Sequence, residues 1–386
     1  MSSMSINRRV YLDNPNIGEL EKKYVLDALE SGFISTRGPL IRVFEEELGR
    51  YLGGFVAATY SGTAALHLSL LYKKKKLSIQ DGAGVIVPSL TFAATANAVI
   101  YSNLIPIFVD VDLQTWNIDI SKISDTIKLC KSRGIEIRFI MPVHLYGNPV
   151  DLEPLLSLCR EHNLVLIEDS AESLGSYYNG LKCGTIGDLG VFSFNANKII
   201  TASSGGAIFS KSQEEIEYLR FLTLQARNES KGYYHEDLGF NYRMTNIEAA
   251  IALAQLQKLN YFLKIRQTFW EIYNHYLSNY VIFQKILPNA VSNHWLISCI
   301  IPNKDIQSIQ QKLEHKGIPT RRIFYPLPLM DFYKQYVVKY LPENQIQDFY
   351  ANSMYIYQNG ICLPSSTKNT SQEIEYVCRC LLEIII

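Results

Sequence analysis

The sequence predicts an α/β protein: a large domain with a mostly parallel sheet flanked by helices, followed by a smaller C-terminal α+β domain. Three observations predict it. Short apolar runs suited to buried strands alternate with helical tracts from residue 55 to residue 209. At Tyr233 the chain turns polar and aromatic, then enters a long helical tract over 247–277. Shorter strand and helix signals alternate from there to the end. The boundary is expected at residue 250, with 1–250 forming the first domain and 251–386 the second. A length of 386 residues, 47% hydrophobic and 12% aromatic, supplies two cores and excludes a disordered chain.

The elements follow in order. Ile17, Leu20, Tyr24, Val25 and Ala28 recur at helical spacing and predict a helix over 16–31, stopped by Gly32. A second amphipathic helix runs through Val43, Phe44, Leu48 and Tyr51. A strand over 55–59 leads into Tyr60-Ser-Gly-Thr-Ala-Ala and another helix. The first N–H groups of that helix, near Gly62 and Thr63, are unpaired and make either an anion site or an ordinary capped turn. Small residues there let a phosphate approach the backbone. Strands are predicted over 85–88, 105–111, 139–143, 164–167 and 207–209, and helices over 91–101 and 152–162. Phe92, just past a strand end, either stacks on a flat cofactor or joins the core. In the second domain, strands over 295–302 and 319–324 bracket a helix over 306–316, and a helix over 372–384 closes the chain. No internal repeat or low-complexity linker is present.

Charge and cysteine content narrow the setting. The 37 basic residues balance 37 acidic ones, so no global field recruits nucleic acid or anionic lipid. The lysine run 73–76 reads as a solvated loop after a helix. Seven scattered cysteines, most in apolar surroundings, suit a reducing compartment better than a disulfide framework. Cys378 and Cys380 read as packing residues of the closing helix, with no second pair nearby to complete a metal site. Residues 1–9 are polar and carry no signal-peptide core, and no apolar run reaches bilayer length. The expectation is a cytoplasmic protein with no membrane partner.

Chemistry concentrates in the stretch 163–210. Glu168 and Asp169 sit where the strand over 164–167 ends, the crevice in which open α/β sheets bind ligands. Lys198 lies between an apolar run around Phe192 and Phe194 and the small-residue tract 202–206. A lysine in such surroundings is largely desolvated, so its neutral, nucleophilic form becomes accessible. A strand-end aspartate paired with a desolvated lysine fits pyridoxal phosphate chemistry: the amine forms the Schiff base and the carboxylate keeps the pyridinium protonated. An exposed lysine and a helix-capping aspartate are the plain alternatives.

The motifs in sequence give a wider pattern. Ser61-Gly-Thr-Ala-Ala-Leu is followed by Pro142-Val-His-Leu-Tyr-Gly, Ile167-Glu-Asp-Ser-Ala-Glu and Gly187-Asp-Leu-Gly. Phe192-Ser-Phe-Asn-Ala-Asn-Lys-Ile-Ile-Thr, Gly205-Gly and Gly239-Phe-Asn-Tyr-Arg-Met-Thr-Asn complete it. In this order they resemble the DegT/DnrJ/EryC1/StrS family, the sugar aminotransferases of PLP fold type I, over essentially the whole length. The resemblance implies that Lys198 is the Schiff-base lysine and Asp169 the pyridinium partner. It places Glu172 beside the cofactor's phenolic oxygen, where many members have Gln, and stacks Phe92 on the ring. It implies phosphate binding by Gly62, Thr63 and Ser193, with Asn241 reaching the phosphate from the neighbouring subunit of a homodimer.

Some members are dehydratases with a His in place of the lysine, so Lys198 favours transamination, with L-glutamate as the implied amino donor. Arg243 is a candidate to hold the donor carboxylate or the nucleotide diphosphate, or else belongs to a structural ion pair. The wording Asn197-Lys-Ile-Ile-Thr most resembles bacterial enzymes that aminate C4 of UDP-linked 4-keto-6-deoxy-N-acetyl sugars, as in bacillosamine synthesis. GDP-perosamine synthases and dTDP-sugar 3-aminotransferases are the alternatives. Where relatives carry a His after Pro-Leu, this chain has Pro326-Leu-Pro-Leu, a departure that bears on the exact sugar. A non-catalytic, PLP-binding regulator is opposed by the intact Lys198 and Asp169, and an NAD oxidoreductase by the lack of a Gly-x-Gly-x-x-Gly fingerprint after any predicted strand.

Overall fold

The structure is a computed structural model and describes residues 10–386. The expectation about a signal segment at residues 1–9 lies outside the described residues. Strands β1 (Phe55–Thr59), β2 (Gly84–Pro88), β3 (Ile105–Val109), β4 (Ile137–Ile140), β5 (Val165–Asp169), β6 (Leu189–Ser193) and β7 (Gly206–Ser210) form one sheet, in the order β1-β7-β6-β5-β4-β2-β3. From β6 to β3 all neighbours are parallel, and β7 is antiparallel to both β6 and β1. β1 to β5 correspond to predicted strands. β6 was not predicted, because Gly187 and Gly190 punctuate its approach and hide its apolar run.

After helices α1 (Glu19–Glu30) and α2 (Pro39–Leu52) the chain enters this sheet, and helices cover both its faces, as buried parallel strands require. On one face, Leu66, Leu68 and Leu70 of α3 (Gly62–Lys76) pack with Val85, Ile86, Phe139, Leu166 and Ile208. On the other, Ile41, Phe44 and Leu48 of the helix Pro39–Leu52 pack with Val56, Phe192, Phe194 and Phe209. The long helical tract is two helices, Asn246–Gln257 and Leu259–Leu277, broken at Lys258 where the backbone leaves the helical region (φ −100°, ψ 1°). Residue 250 falls inside the first of them, which packs against the helices Glu19–Glu30 and Pro39–Leu52.

A second, antiparallel sheet orders the strands Ile282–Phe283, Ser298–Ile300, Gly360–Cys362 and Arg321–Arg322. Its core joins Phe269, Tyr273, Ile297, Cys299, Ile374 and Cys378, and Cys378 and Cys380 are both buried on the closing helix Ser371–Ile385. The strand expected over 295–302 is confined to Ser298–Ile300; Trp295, just after His294 in the left-handed region (φ 51°), is instead bonded to Arg266 and the Asn197 carbonyl. Tyr340 and Tyr350 reach back to the edge strand β3. The Phe108 N–H donates to Tyr340 Oη at 3.0 Å, and Tyr350 Oη donates to the Phe108 carbonyl at 3.2 Å. Side chains thereby occupy backbone groups that an open edge would offer to another chain. Among the described residues, no helix is long and apolar enough to cross a membrane.

The lysine run 73–76 is not a solvated loop. It forms the last turn of α3, where cations complement the negative helix end. Lys73 and Lys76 converge on Glu215 at 2.8 and 2.9 Å, and Ser210 Oγ donates to the same carboxylate at 2.7 Å. Lys74 pairs with Asp81 and Lys75 with Asp237. Burial opposes ionisation of Glu215, but the two lysines and the serine outweigh it and hold its pKa at about 2 against an ordinary 4.5. A carboxylate with a depressed folded-state pKa contributes stability above its unfolded value and loses it as pH falls toward the folded one. Glu215→Gln should cost about 1–2 kcal/mol at neutral pH, a figure discounted for partial solvent screening. The gap to wild type in thermal unfolding should narrow below about pH 4.5; a gap independent of pH would show that charge plays no part.

Candidate active site

A cavity of about 280 Å³ opens at the C-terminal ends of β5 and β2 and at the N-terminus of α3. The helix start is set by Ser61, whose Oγ accepts the Ala64 N–H at 3.1 Å, leaving Gly62 and Thr63 as the first helical residues on the cavity wall. A Cβ on Gly62 would stand 2.9 Å from Ser193 Cβ and 3.2 Å from its Oγ. Only glycine brings the helix end this close to the Ser193 hydroxyl. The result is a compact anion wall of helix N–H groups and one hydroxyl.

The second wall is acidic. Asp169 ends β5, buried, with Oδ2 accepting the Thr95 hydroxyl at 2.8 Å and Oδ1 accepting the Ala171 N–H at 3.2 Å. Burial pushes its carboxyl above the ordinary value, against those two hydrogen bonds and the nearby Lys198 and His144. Such a carboxylate is short of a positive partner. Its neighbour Glu168 faces away and braces the strand end. Glu168 accepts the N–H groups of Gly184, Ile186 and Gly187 at 2.8, 2.7 and 2.6 Å, and contacts His144 Nε2 at 3.1 Å. His144 Nδ1 accepts the Val150 N–H at 3.0 Å, so the ring proton sits on Nε2 and is donated to Glu168. Burial disfavours the charged Glu168, yet His144 and the backbone donors outweigh it and hold this carboxyl below its usual range.

Lys198 follows β6 in a tight turn closed by its N–H donating to the Asn195 carbonyl at 2.9 Å. Its Nζ lies 3.5 Å from Glu172 Oε1 and 3.9 Å from the centroid of the Trp295 ring. Glu172 Oε2 accepts the Tyr146 N–H at 2.8 Å. Burial pulls the Lys198 pKa down, opposed by Glu172 and Asp169, and burial pushes Glu172 up. Both directions favour the uncharged forms, so a neutral amine is accessible in this cavity. Phe92, 58% exposed, lies on the open side with its ring 6.0 Å from Phe324.

Seven residues singled out from sequence meet here: Gly62, Thr63, Phe92, Asp169, Glu172, Ser193 and Lys198 all line the cavity. Asn241 does not; it is exposed and pairs through its backbone with Leu224. Arg243 does not either. Its Nη1 binds the buried Glu45 at 2.7 Å, and Glu45 also takes Arg220 Nε at 3.0 Å and the Ala58 N–H at 2.8 Å. The ion-pair alternative therefore describes Arg243 in this chain, since its charge is already spent on a structural carboxylate. Sequence reasoning missed Thr95, Trp295 and Arg321, which also line the cavity. Thr95 lay one helical turn after Thr91, a spacing that could have flagged it. Trp295 and Arg321 come from the second sheet's region, and no local pattern ties them to Lys198.

The arrangement offers an anion wall, a buried carboxylate lacking a cation, an aromatic face and a desolvated amine. These are the groups needed to hold a phosphorylated aromatic aldehyde. Residues 15–382 match the DegT/DnrJ/EryC1/StrS aminotransferase family. The chain is 35% identical over 371 residues to GDP-perosamine synthase from Escherichia coli O157:H7, covering 96% of each chain. It is 30% identical over 374 residues to UDP-4-amino-4,6-dideoxy-N-acetyl-beta-L-altrosamine transaminase from Campylobacter jejuni, covering 93% of this chain and 94% of that one. A crystal structure of a DegT DnrJ EryC1 StrS aminotransferase from Brucella abortus superposes with a TM-score of 0.86 at 26% identity, over 94% of this chain and 95% of that one. The cavity and the match converge: this chain belongs to the DegT/DnrJ/EryC1/StrS aminotransferase family, and its cofactor is pyridoxal phosphate.

Proposed function

We propose that the chain moves an amino group from an amino acid, L-glutamate by family resemblance, to the C4 keto group of a nucleotide-linked 4-keto-6-deoxy sugar. The observation that carries this is the meeting of Lys198, Glu172 and Asp169 with the α3 N-terminus in one cavity. Gly62, Thr63 and Ser193 would hold the cofactor phosphate, Asp169 its ring nitrogen and Phe92 its face. When bound, the cofactor supplies an aldehyde that joins amines and a ring that takes up electrons.

The chain's own groups do the rest. Asp169, fixed by Thr95 and Ala171, offers a buried negative charge to a protonated ring nitrogen, the positive partner it otherwise lacks. Lys198 Nζ, eased toward neutrality by burial, accepts a proton from the donor's Cα and returns one to the acceptor's sugar carbon in the second half-reaction. Glu172 Oε1 faces that nitrogen and favours its charged form, so the amine is poised between its two states. The cavity is lined by Asp169 from the large sheet together with Trp295 and Arg321 from the C-terminal region.

Among acceptors we favour a UDP-linked N-acetyl sugar, supported by the motif wording around Lys198 and the similarity to the altrosamine transaminase. A GDP-linked sugar is the second reading, supported by the higher identity to GDP-perosamine synthase. A homodimer is also part of the proposal. Exposed Phe33, Ile34, Tyr233 and Leu238 supply apolar surface for a second copy, and the exposed Asn241 would serve a partner's cavity. We read the enzyme as cytoplasmic, a reading supported by its seven unpaired cysteines, which suit a reducing compartment.

Lys198→Ala should abolish formation of the keto acid from glutamate, and ordinary turnover in that variant would remove Lys198 from the chemistry. Asp169→Asn should fold normally and lower the rate by about 10²-fold or more; an unchanged rate would mean another group serves the ring nitrogen. A panel of UDP-, GDP- and dTDP-linked 4-keto and 3-keto sugars assayed with glutamate should give the highest kcat/KM for a UDP-linked 4-keto sugar. A preference for the GDP-linked compound would select the second reading, and a preference for a 3-keto sugar would overturn both.

A further inference from the structure

Trp295 comes from the loop before the strand Ser298–Ile300, almost a hundred positions from Lys198, yet it makes two separate contacts with the lysine's turn. The ring centroid lies 3.9 Å from Nζ, well inside the roughly 6 Å reach of a cation–π interaction. The indole Nε1–H donates at 2.6 Å to the carbonyl of Asn197, the residue preceding the lysine. One contact addresses the amine and the other the backbone that carries it. We propose that Trp295 is the positioning residue for the reacting amine: its indole face receives Lys198 Nζ whenever that nitrogen is free, and its Nε1–H fixes the turn from which the lysine projects. The inference rests on the reading of Lys198 as the reacting amine.

Trp295 is itself held rigidly. Its N–H donates to Asn293 Oδ1 at 2.9 Å, and its carbonyl accepts Nη1 of Arg266, a guanidinium whose pKa burial lowers to about 10. Asn293 Nδ2 donates to the carbonyls of Glu172 and Leu174, each at 2.9 Å. Residues 293–295 therefore set both the amine and the carboxylate facing it. The turn needs His294 at φ 51°, a conformation unfavourable for a residue with a side chain. The His294 ring is secured there by stacking on Trp270, 4.9 Å between centroids and 10° from parallel.

The electrostatics around Nζ give the ring a distinct task. Glu172 and Asp169 attract the ammonium, Arg321 repels it, and burial disfavours it. Asp13 is occupied nearby, accepting Arg321 Nη1 at 3.1 Å and Asn197 Nδ2 at 3.0 Å. Glu172 can attract the ammonium but can also take its proton. An indole face attracts the cation and has no lone pair to accept the proton, so a lysine resting on it keeps the proton it must later deliver.

The test reads the lysine directly, without turnover. In the full-length chain freed of cofactor, labelling of Lys198 by acetic anhydride is followed against pH by peptide mass spectrometry. Replacing the tryptophans biosynthetically with fluoro- and then difluorotryptophan drains the ring face of electron density while preserving its shape. Trp116 and Trp270 do not line the cavity, and because Trp270 stacks on His294 the series is run in a Trp270→Phe background, which keeps an unfluorinated ring there. The labelling midpoint should fall stepwise with fluorination, and Trp295→Leu should lower it by about 0.5–1 pH unit. Trp295→Phe, which keeps a face but loses the Nε1–H, should fall between wild type and Trp295→Leu. A midpoint indifferent to fluorination overturns the inference even if Trp295→Leu fails to fold, and leaves the role of Lys198 standing. Keto-acid formation by Lys198→Ala overturns both.

Discussion

One constraint governs the site: an amine and two carboxylates share a space from which water is largely excluded. Taking charge out of water is costly, so each group is driven toward neutrality unless a partner compensates it. Lys198 and Glu172 face each other 3.5 Å apart and are both pushed toward their uncharged forms by burial. Asp169 is pushed the same way; a hydroxyl and one N–H bond it, and Lys198 attracts it through space without pairing with it. A protein that needed only stability would not leave three such groups poised. The arrangement makes sense if a cofactor with a basic ring nitrogen and an electrophilic carbon completes it.

The surrounding fold meets this demand from several directions. Parallel strands end together, so β5 delivers Asp169 and, through the following loop, Glu172 to one crevice. Glu168 is the inward counterpart. It collects three N–H donors and the His144 proton, and so locks the loop 184–187 behind the strand end. α3 supplies the anion wall, and its opposite end is tied down by the lysines that converge on Glu215. The two ends of one helix thus have separate electrostatic duties: the first turn sets Gly62 and Thr63 on the cavity wall while Ser61 caps the Ala64 N–H, and the last turn neutralises its carbonyl end with cations.

Much of this was legible in the sequence because it is local. The strand–turn–helix at Ser61, the strand-end acids and the lysine in a small-residue tract each follow from spacing within a few residues. β6 was hidden by flanking glycines, and the break at Lys258 by continuous helical periodicity on either side. The lysine run was misread because pairing with Glu215, Asp81 and Asp237 depends on tertiary contacts. The same limit explains Arg243, whose carboxylate partner, Glu45, lies on a helix 198 positions away. It explains Trp295 and Arg321 as well: they reach the cavity only because the C-terminal region packs against Leu90, Trp116 and Tyr146 in the loops after the large sheet's strands.

We propose that one amine among the chain's many lysines, that of Lys198, carries the cofactor. Purified enzyme treated with borohydride and digested tests it most directly. A pyridoxyl mass is expected on the peptide containing Lys198 and on no other. A pyridoxyl group fixed at a different lysine, or at none when the cofactor is bound, would contradict it.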